Sequence, residues 1–428
     1  MVATAQSDST VIRYIESLGI PVSNHADNIT LLKTGHDKFI DLFDHVESAK
    51  KSIHLEYFNF RNDSIADLLF QKLEARSSDG VKVRAVYDAF GNMSNNRPLR
   101  NRHMRAIRKR GVEIFKFDPI RFPYVNHMFS RDHRKIVVID GCVGYTGGMN
   151  VADYYVDGLP NIGAWRDMHM RIEGPSVDRL QDIFLNIWNK TTGQDVSPEA
   201  CCHRSDSCAD NSLWKLSVDI IRGNDILREE LGRFVINPVA GSRTHLLCSV
   251  AIVDREPGET PSDMRRVYAE AINAAEQSVK IINPYFVPTP IIRRAIKKAV
   301  RRGVDVQIMI PGKSDIPFTP KAALYRANQL RKAGAVVYLF DGGFHHTKIM
   351  MVDDRFCTLG SANLDSRSLR YDRESNAFIF DRGVTAELTE MFEKDKKESR
   401  ILTREMYTKQ SVLKKFTNWV AGSMTPFL

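Results

Sequence analysis

The feature that most constrains the fold of this 428-residue chain is an internal repeat. An apolar run at residues 52–58, which reads as a buried strand, has a counterpart at residues 278–286. Each run is followed by a helix-like segment, a strand that begins with Gly-Val, and a further helix that leads to another glycine. The two glycines are 31 residues apart in both copies: Gly80 and Gly111, then Gly303 and Gly334. The chain is therefore a tandem duplication of a strand-helix-strand-helix unit.

Alternating strands and helices predict an α/β fold with two tandem domains, each a mixed or mainly parallel sheet covered by helices on both faces. A pseudo-twofold relation between the domains would place equivalent residues opposite each other across their interface. The segment 190–212 is rich in Thr, Asp, Ser and Cys and reads as a linker or surface loop, so we place the boundary near residue 200. The expected divisions are an N-terminal domain at 1–200, a linker or insert at 201–243, a C-terminal domain at 244–400 and an amphipathic tail at 401–428.

Each repeat carries the same set of polar residues on and after an apolar strand. The pattern is His-x-Lys-x4-Asp, and a glycine seven residues after the Asp begins a Gly-x-x-Asn sequence. In the first copy these residues are His133, Lys135, Asp140, Gly147 and Asn150, and in the second they are His346, Lys348, Asp353, Gly360 and Asn363. One copy could arise by chance, but two copies with equal spacing at equivalent places indicate shared chemistry.

Two His, two Lys and two Asn without an acidic cage suit substitution at a phosphodiester. The lysines and asparagines would hold the charged phosphate oxygens, with Gly148 and Ser361 as further substrate contacts. One neutral imidazole would attack phosphorus, and the other, protonated, would give its proton to the leaving oxygen. The intermediate would be a phosphohistidine, and the reaction would need neither a metal nor another cofactor.

Both halves of the chain resemble the phospholipase D superfamily, and the resemblance is strongest to bacterial cardiolipin synthases. It extends over residues 28 to 400 and rests on strings longer than the minimal motif. These strings are residues 28–35, 56–57, 147–155, 165–175, 284–288 and 360–368.

The resemblance implies transfer of a phosphatidyl group to the head group of phosphatidylglycerol, giving cardiolipin and glycerol. It also implies that each His is backed by a carboxylate downstream of its motif, at Asp167 and Glu374, which fixes the imidazole tautomer. Related enzymes generally attack with the first histidine, so His133 is the expected nucleophile and His346 the general acid. Asp140 and Asp353 belong to the catalytic pattern but look more like local structural anchors.

Charge and hydropathy indicate where such an enzyme would work. The chain has 61 Lys and Arg against 52 Asp and Glu, a net charge of +9, and no run of 18 to 20 apolar residues. Basic helical faces at 291–302 and 97–110 favour an anionic membrane surface over a solvated face. The amphipathic stretch at 409–420 has the composition of an interfacial helix, and it could bind either the membrane or the body of the protein. We therefore expect peripheral binding at the cytoplasmic face of the cell membrane. The spacing of Cys201, Cys202, His203 and Cys208 fits no usual zinc pattern, so a reduced surface loop is expected there.

Three alternatives stay open at this level. A phospholipase of the same superfamily would use water as the acceptor, and a nuclease would use the basic faces for DNA. A non-catalytic membrane or nucleic-acid binding protein could retain the fold. The complete motifs weigh against the binding protein and the extended strings against the nuclease, so no nucleic-acid partner is expected. Neither the phosphatidyl donor nor the oligomeric state follows from the sequence.

Overall fold

The computed structural model describes residues 7–119, 130–198, 234–236, 241–313, 319–409 and 417. Its contacts divide the chain into two compact units. The first-repeat unit comprises Ser23–Val156 and His169–Ile252, and the second-repeat unit comprises the described parts of Met1–Val22, Asp157–Met168 and Val253–Leu428. The units thus do not follow a single boundary near residue 200, because residues 157–168 pack with the second repeat.

The first-repeat unit is built on a mixed sheet. Its strands are β1 (Asp27–Leu32), β2 (Ser52–Tyr57), β3 (Lys82–Asp88), β4 (Glu113–Phe117), β5 (Lys135–Ile139), β6 (Val143–Gly147), β8 (His169–Glu173), β9 (Phe234–Ile236) and the first part of β10 (Arg243–Arg255). The order is β10-β1-β8-β6-β5-β2-β3-β4, and β9 pairs with β10. Strands β2, β3 and β4 are parallel, whereas the pairs from β2 through β5, β6, β8 and β1 to β10 are antiparallel.

The second-repeat unit repeats this arrangement. Its strands are β7 (Trp165–Arg166), β11 (Ser278–Ile282), β12 (Asp305–Pro311), β13 (Val336–Phe340), β14 (Phe344–His345), β15 (Ile349–Val352), β16 (Phe356–Gly360), β17 (Glu374–Phe380) and β18 (Ser399–Ile401). The order is β18-β13-β12-β11-β15-β16-β17, with β11, β12 and β13 parallel and the other neighbours antiparallel. Because β2-β3-β4 and β5-β6-β8 correspond to β11-β12-β13 and β15-β16-β17, the predicted duplication and mixed α/β fold are confirmed.

Helices alternate with these strands along the chain. They are α1 (Ser7–Ser17), α2 (Gly35–Ser48), α3 (Ser64–Ser78), α4 (Ala89–Met93), α5 (Asn101–Lys109), α6 (Tyr154–Asp157), α7 (Ser176–Thr192), α8 (Asp263–Ala274), α9 (Pro290–Arg301), α10 (Thr319–Lys332), α11 (Ser366–Arg370), α12 (Arg382–Lys396) and α13 (Arg404–Thr408). Every residue of β1, β2 and β5 is buried, so both faces of this part of the sheet are covered.

The repeated glycines have a conformational cause. Gly80, Gly111, Gly303 and Gly334 have φ of 92°, 94°, 89° and 113°, in the region that side chains with a Cβ rarely adopt. Each follows a helix and precedes the next parallel strand, so the left-handed residue turns the chain from helix into strand. The spacing of 31 residues is therefore the length of one strand and the helical segment that follows it.

Candidate active site

The motif aspartates fix the hairpins that carry the motif strands. Asp140 lies between β5 and β6 with a φ of 52°, and its carboxylate accepts hydrogen bonds from the backbone N–H of Lys50, Lys51 and Ser52 at 2.7–2.9 Å. Asp353 has a φ of 55° and accepts the same three bonds, also at 2.7–2.9 Å, from residues 276–278. The carboxylates thus join each motif strand to the start of its neighbour, which supports their interpretation as anchors.

A buried ion pair holds the segment that leads to His133. Arg131 donates two hydrogen bonds from Nε to the Asp88 carboxylate, at 3.1 and 2.9 Å, and Asp88 also accepts from the backbone N–H of Asp132 at 2.9 Å. Arg131 and Asp88 are fully buried, so this pair is shielded from water. The His133 ring then packs edge-on against Phe58, with ring centroids 5.0 Å apart.

Lys135 and Asn150 are the other polar residues of the first motif. Lys135 is fully buried, donates to the His133 carbonyl oxygen and has its ammonium 5.4 Å from the centre of the Phe58 ring. The Asn150 side chain accepts from the backbone N–H of Asn59 at 3.4 Å. Its main chain is held by the buried Lys38, whose ammonium donates to the carbonyls of Met149 and Asn150 at 3.1 and 3.0 Å. Gly148 is buried in the same turn after β6.

Lys38 is a residue that the sequence analysis missed. It lies on α2, far from the motif in sequence, and a single lysine on a helix carries no local signal of function. Its buried charge rests on two carbonyl groups of the Gly-x-x-Asn turn, which orients that turn.

In the second-repeat unit, the second motif histidine has a carboxylate partner. Nδ1 of His346 donates to Oδ2 of Asp167 at 2.6 Å, which leaves Nε2 as the reactive ring nitrogen. This corrects the expectation that each carboxylate serves the histidine of its own motif, because Asp167 follows the first motif in sequence and contacts the second. The reason is that residues 157–168 pack with the second repeat.

Electrostatics keep Asp167 ionised. Burial alone would raise its pKa, but the charges of Lys348 and His346 outweigh burial, and the pKa of the Asp167 carboxyl is lowered from its ordinary value. The Lys348 ammonium lies 3.9 Å from Oδ2 of Asp167 and donates to the His346 carbonyl oxygen. The negative charge of Asp167 therefore favours an imidazolium at His346, whereas the Lys348 ammonium, 2.9 Å from Nδ1 of His346, opposes it.

A short pair of parallel strands positions Asp167 beside His346. Strand β7, which contains Trp165 and Arg166, pairs with β14, and the backbone N–H of His346 donates to the Arg166 carbonyl oxygen at 2.6 Å. The Arg166 guanidinium also pairs with the buried Asp395 of α12 at 2.7 Å. The other oxygen of Asp395 lies 2.9 Å from Nε2 of His345. Asp395 and His345 were not singled out from the sequence, and nothing local to Asp395 would have indicated this role.

Aromatic rings surround His346. The ring centroids of Trp165, Phe344 and Tyr285 lie 5.3, 5.5 and 5.9 Å from that of His346. His346 is only 7% exposed, so water screens charge interactions with its ring only weakly.

The remaining candidates lie on the loop after β16 and on β17. Asn363 is buried, and its Oδ1 has no hydrogen-bond partner among the described residues. A contact of its amide N–H with substrate stays a prediction. Ser361 donates from Oγ to Oε2 of Glu374 and is fully buried. Ser361 thus contacts the candidate orienting carboxylate, and a direct substrate contact by its hydroxyl stays a prediction.

The described residues were compared with the requirements of a metal site and of a membrane-spanning helix. Among the residues that the structure describes, no group of three or more His, Cys, Asp and Glu side chains could hold a metal ion. The cluster of Cys201, Cys202, His203 and Cys208 lies outside those residues. Within the described helices, none combines the length and apolar character needed to cross a bilayer.

Comparison with known proteins places this geometry in a family. The family model described as "Cardiolipin synthase, PLD-like domain" matches residues 42–188 and 268–396. "Cardiolipin synthase 2" of Staphylococcus epidermidis is 33% identical in an alignment 433 residues long. The alignment covers 99% of this chain and 80% of that protein.

The chain belongs to the cardiolipin synthase family of phospholipase D-like proteins. A cardiolipin synthase of Listeria monocytogenes is a further relative, 32% identical over 94% of this chain and 76% of its own length. The crystal structure of phosphatidylserine synthase from Haemophilus influenzae matches 97% of this chain and 99% of that chain, with a TM-score of 0.68 at 15% identity. That likeness concerns the fold.

Proposed function

We propose that this protein is a cardiolipin synthase that uses phosphatidylglycerol as both donor and acceptor of the phosphatidyl group. The observation that carries the proposal is the His346–Asp167 pair at 2.6 Å beside the buried Lys348, in a chain of this family. A protonated histidine held by an ionised carboxylate is the equipment of a general acid. The curated relatives over nearly the full chain are named cardiolipin synthases, which supports the choice of product.

In the first half-reaction, Nε2 of His133 attacks phosphorus of one phosphatidylglycerol. The bond from phosphorus to the glycerol oxygen breaks, and the His346 imidazolium gives its proton to that oxygen, so that neutral glycerol leaves. Lys135 and Lys348 balance the negative charge on the phosphate oxygens, and Asn150 and Asn363 donate hydrogen bonds to them. The product of this step is phosphatidyl-His133.

In the second half-reaction, the neutral His346 accepts a proton from the terminal hydroxyl of a second phosphatidylglycerol. The resulting oxygen nucleophile attacks phosphorus and releases His133, which yields cardiolipin and restores both histidines. One diester replaces another, so the exchange needs no nucleotide. Water in place of the second lipid would instead give phosphatidic acid.

Incubation of the purified protein with phosphatidylglycerol vesicles, followed by lipid analysis, tests this proposal. The expected products are cardiolipin and glycerol in equal amounts. Phosphatidic acid as the main product would identify a hydrolase, and the absence of product together with vesicle binding would identify a binding protein. His133→Ala and His346→Ala serve as inactive controls.

We also propose that the protein meets the membrane peripherally, through the outer face of α9. The apolar face of this helix, with Ile292, Ala295, Ile296 and Ala299, is buried in the protein, whereas Lys298 and Arg301 are exposed. Helix α9 contains no Asp or Glu that could neutralise this face, which favours an anionic lipid surface. The amphipathic residues of the tail from Val412 to Val420 lie outside the described residues.

Vesicle sedimentation tests the membrane contact. Reversal of Lys297, Lys298 and Arg301 to glutamate should release the protein from vesicles that contain phosphatidylglycerol, and binding of the unmodified protein should weaken as salt rises. The same reversal of three exposed basic residues of α5, Arg102, Arg105 and Lys109, compares the second basic face, and release of the α9 variant alone would support this proposal. Unchanged binding of the α9 variant would assign the membrane contact to another surface.

A further inference from the structure

Four arginines from three helices converge beside the loop that packs on His346. Arg265 lies on α8, Arg293 and Arg294 lie on α9, and Arg370 ends α11. Helices α8 and α9 pack side by side. Nη1 of Arg265 reaches the Leu369 carbonyl of α11 at 3.4 Å, which places its guanidinium next to Arg370. We call these four residues the arginine cluster.

The arginine cluster is joined to the candidate active site by short connections. Nη1 of Arg293 donates to the Pro288 carbonyl at 2.9 Å, in the loop that follows β11. The same loop contains Tyr285, whose ring lies 5.9 Å from that of His346. The backbone N–H of Val287 donates to the Leu364 carbonyl at 2.9 Å, directly after Asn363.

The positive charges in the cluster are not neutralised by acids. None of Arg265, Arg293, Arg294 and Arg370 forms an ion pair with the described residues, although Asp263 is near enough to act on Arg265. Burial, Arg370 and Arg266 lower the pKa of Arg265. Burial, Arg326, Arg294 and Arg370 likewise lower the pKa of Arg293. Like charges held together at partly buried positions destabilise the protein unless an anion binds between them.

The neighbouring surface favours a lipid as the source of that anion. Tyr371, which follows Arg370, is one of the exposed large hydrophobic side chains, at 38% exposure. Tyrosine beside arginine suits the boundary between head groups and acyl chains, where the ring contacts apolar groups and the guanidinium contacts phosphate. A guanidinium also presents the forked donors that match phosphate oxygens.

We propose that the arginine cluster binds the phosphodiester of an anionic phospholipid and holds that lipid beside His346. The inference rests on the proposed function for the identity of the lipid, phosphatidylglycerol. The bound lipid would be a second molecule, distinct from the one whose phosphorus is attacked. Its phosphate would neutralise the cluster, and its head group would extend toward the loop that carries Tyr285.

Thermal unfolding with short-chain lipids tests the site. The probes are dihexanoylphosphatidylglycerol, dihexanoylphosphatidylcholine and inorganic phosphate, each below micelle-forming concentration where that applies. The measurements use the His133→Ala protein, so that lipid is not consumed. The test variant is Arg293→Gln with Arg370→Gln. The control is Lys394→Gln with Lys397→Gln, two exposed lysines at the end of α12, which removes the same charge and leaves both the cluster and the basic face of α9 intact.

We expect phosphatidylglycerol to raise the unfolding temperature of the parent and of the control, and phosphatidylcholine and inorganic phosphate to do so far less. The cluster variant should bind phosphatidylglycerol about tenfold more weakly or worse, because two charge-assisted contacts are lost. Without lipid it should unfold at the same or a higher temperature than the parent, since repulsion is relieved. A structural role for these arginines predicts the opposite.

Undiminished stabilisation of the cluster variant by phosphatidylglycerol, or equal loss in the control, would overturn the site. Stabilisation by inorganic phosphate as strong as by the lipid would overturn the lipid assignment. Cardiolipin synthesis is measured separately on proteins that retain His133. Synthesis without an arginine-dependent shift refutes the site alone, whereas the shift without synthesis refutes the proposed function alone.

Discussion

Asp167→Asn is the substitution that most directly tests the division of labour between the two histidines. It keeps the shape of the side chain and removes its charge. In the native protein, Oδ2 of Asp167 lies 2.6 Å from Nδ1 of His346 and 3.9 Å from the Lys348 ammonium. The variant can still accept a hydrogen bond from Nδ1, but it no longer favours the imidazolium of His346.

The expected loss is large for the natural substrate and small for an activated one. Loss of a positioned proton donor costs about 10²- to 10⁴-fold in turnover, so cardiolipin synthesis should fall within that range. A phosphatidyl ester of p-nitrophenol expels a stable anion that needs no proton. Its first half-reaction should therefore slow by no more than about tenfold, which covers the loss of orientation of His346.

The assay is a pre-steady-state burst. The p-nitrophenolate released in the first turnover is followed by absorbance, and mass spectrometry of the quenched protein locates the phosphatidyl group, expected on His133. Equal losses on phosphatidylglycerol and on the activated donor would refute the role of Asp167 in proton transfer. An adduct on His346 would show that the two histidines have the opposite roles.

Stability provides an internal control for the same variant. Removing one partner of a buried ion pair typically costs about 3–5 kcal/mol, here moderated because Lys348 also donates to a carbonyl. The pKa of Asp167 is lowered below its ordinary value of 3.8, so its charge stabilises the folded state above that pH, and the effect is lost as the pH falls through the folded pKa. The difference in unfolding temperature between parent and variant should therefore shrink in acid.

Three further predictions concern the same sites. Chelation of divalent metals should leave turnover intact, because Lys135 and Lys348 balance the phosphate charge, and a loss restored by one added metal would contradict this. Burial raises the pKa of the Asp365 carboxyl to about 7, so its ionisation destabilises the folded state as the pH rises. Asp365→Asn keeps an oxygen that can accept the hydrogen bond from the backbone N–H of Ser368. This variant should therefore have a higher unfolding temperature than the parent at pH 8 but not at pH 4. Asp140→Ala should lower the unfolding temperature by several degrees and leave KM nearly unchanged, whereas a selective loss of kcat in folded protein would assign the carboxylate to catalysis.

Repetition made the fold predictable from sequence. The four glycines at equal spacing identify the helix-to-strand turns, because only a left-handed residue fits there, and the apolar strands between them define the parallel part of each sheet. The structural role of Asp140 and Asp353 could also be predicted, since an Asp at the end of a strand commonly accepts backbone hydrogen bonds in a turn. Local sequence is therefore sufficient to predict those parts of the fold that depend on the conformation of a few neighbouring residues.

The partner of Asp167 and the position of Lys38 depend on tertiary contacts, which the sequence does not show. Asp167 was recognised as a carboxylate that orients a histidine, yet its partner depends on whether residues 157–168 pack with the first or the second repeat. That choice is made by the pairing of β7 with β14 and by the ion pair between Arg166 and the buried Asp395, which joins residues far apart in the chain. Lys38 is a similar case, because only folding brings α2 beneath the Gly-x-x-Asn turn.

The two motif histidines are equivalent in sequence but differ in their surroundings. His346 is 7% exposed, contacts an ionised carboxylate and is surrounded by three aromatic rings, whereas His133 is less deeply buried and packs on Phe58. A general acid must hold a proton at neutral pH, and a dehydrated carboxylate partner stabilises that charge strongly because screening by water is weak. A nucleophile must instead keep a neutral nitrogen accessible to phosphorus. The charge of Asp167 favours the protonated form of His346, which supports our proposal that the second motif supplies the general acid and the first the nucleophile.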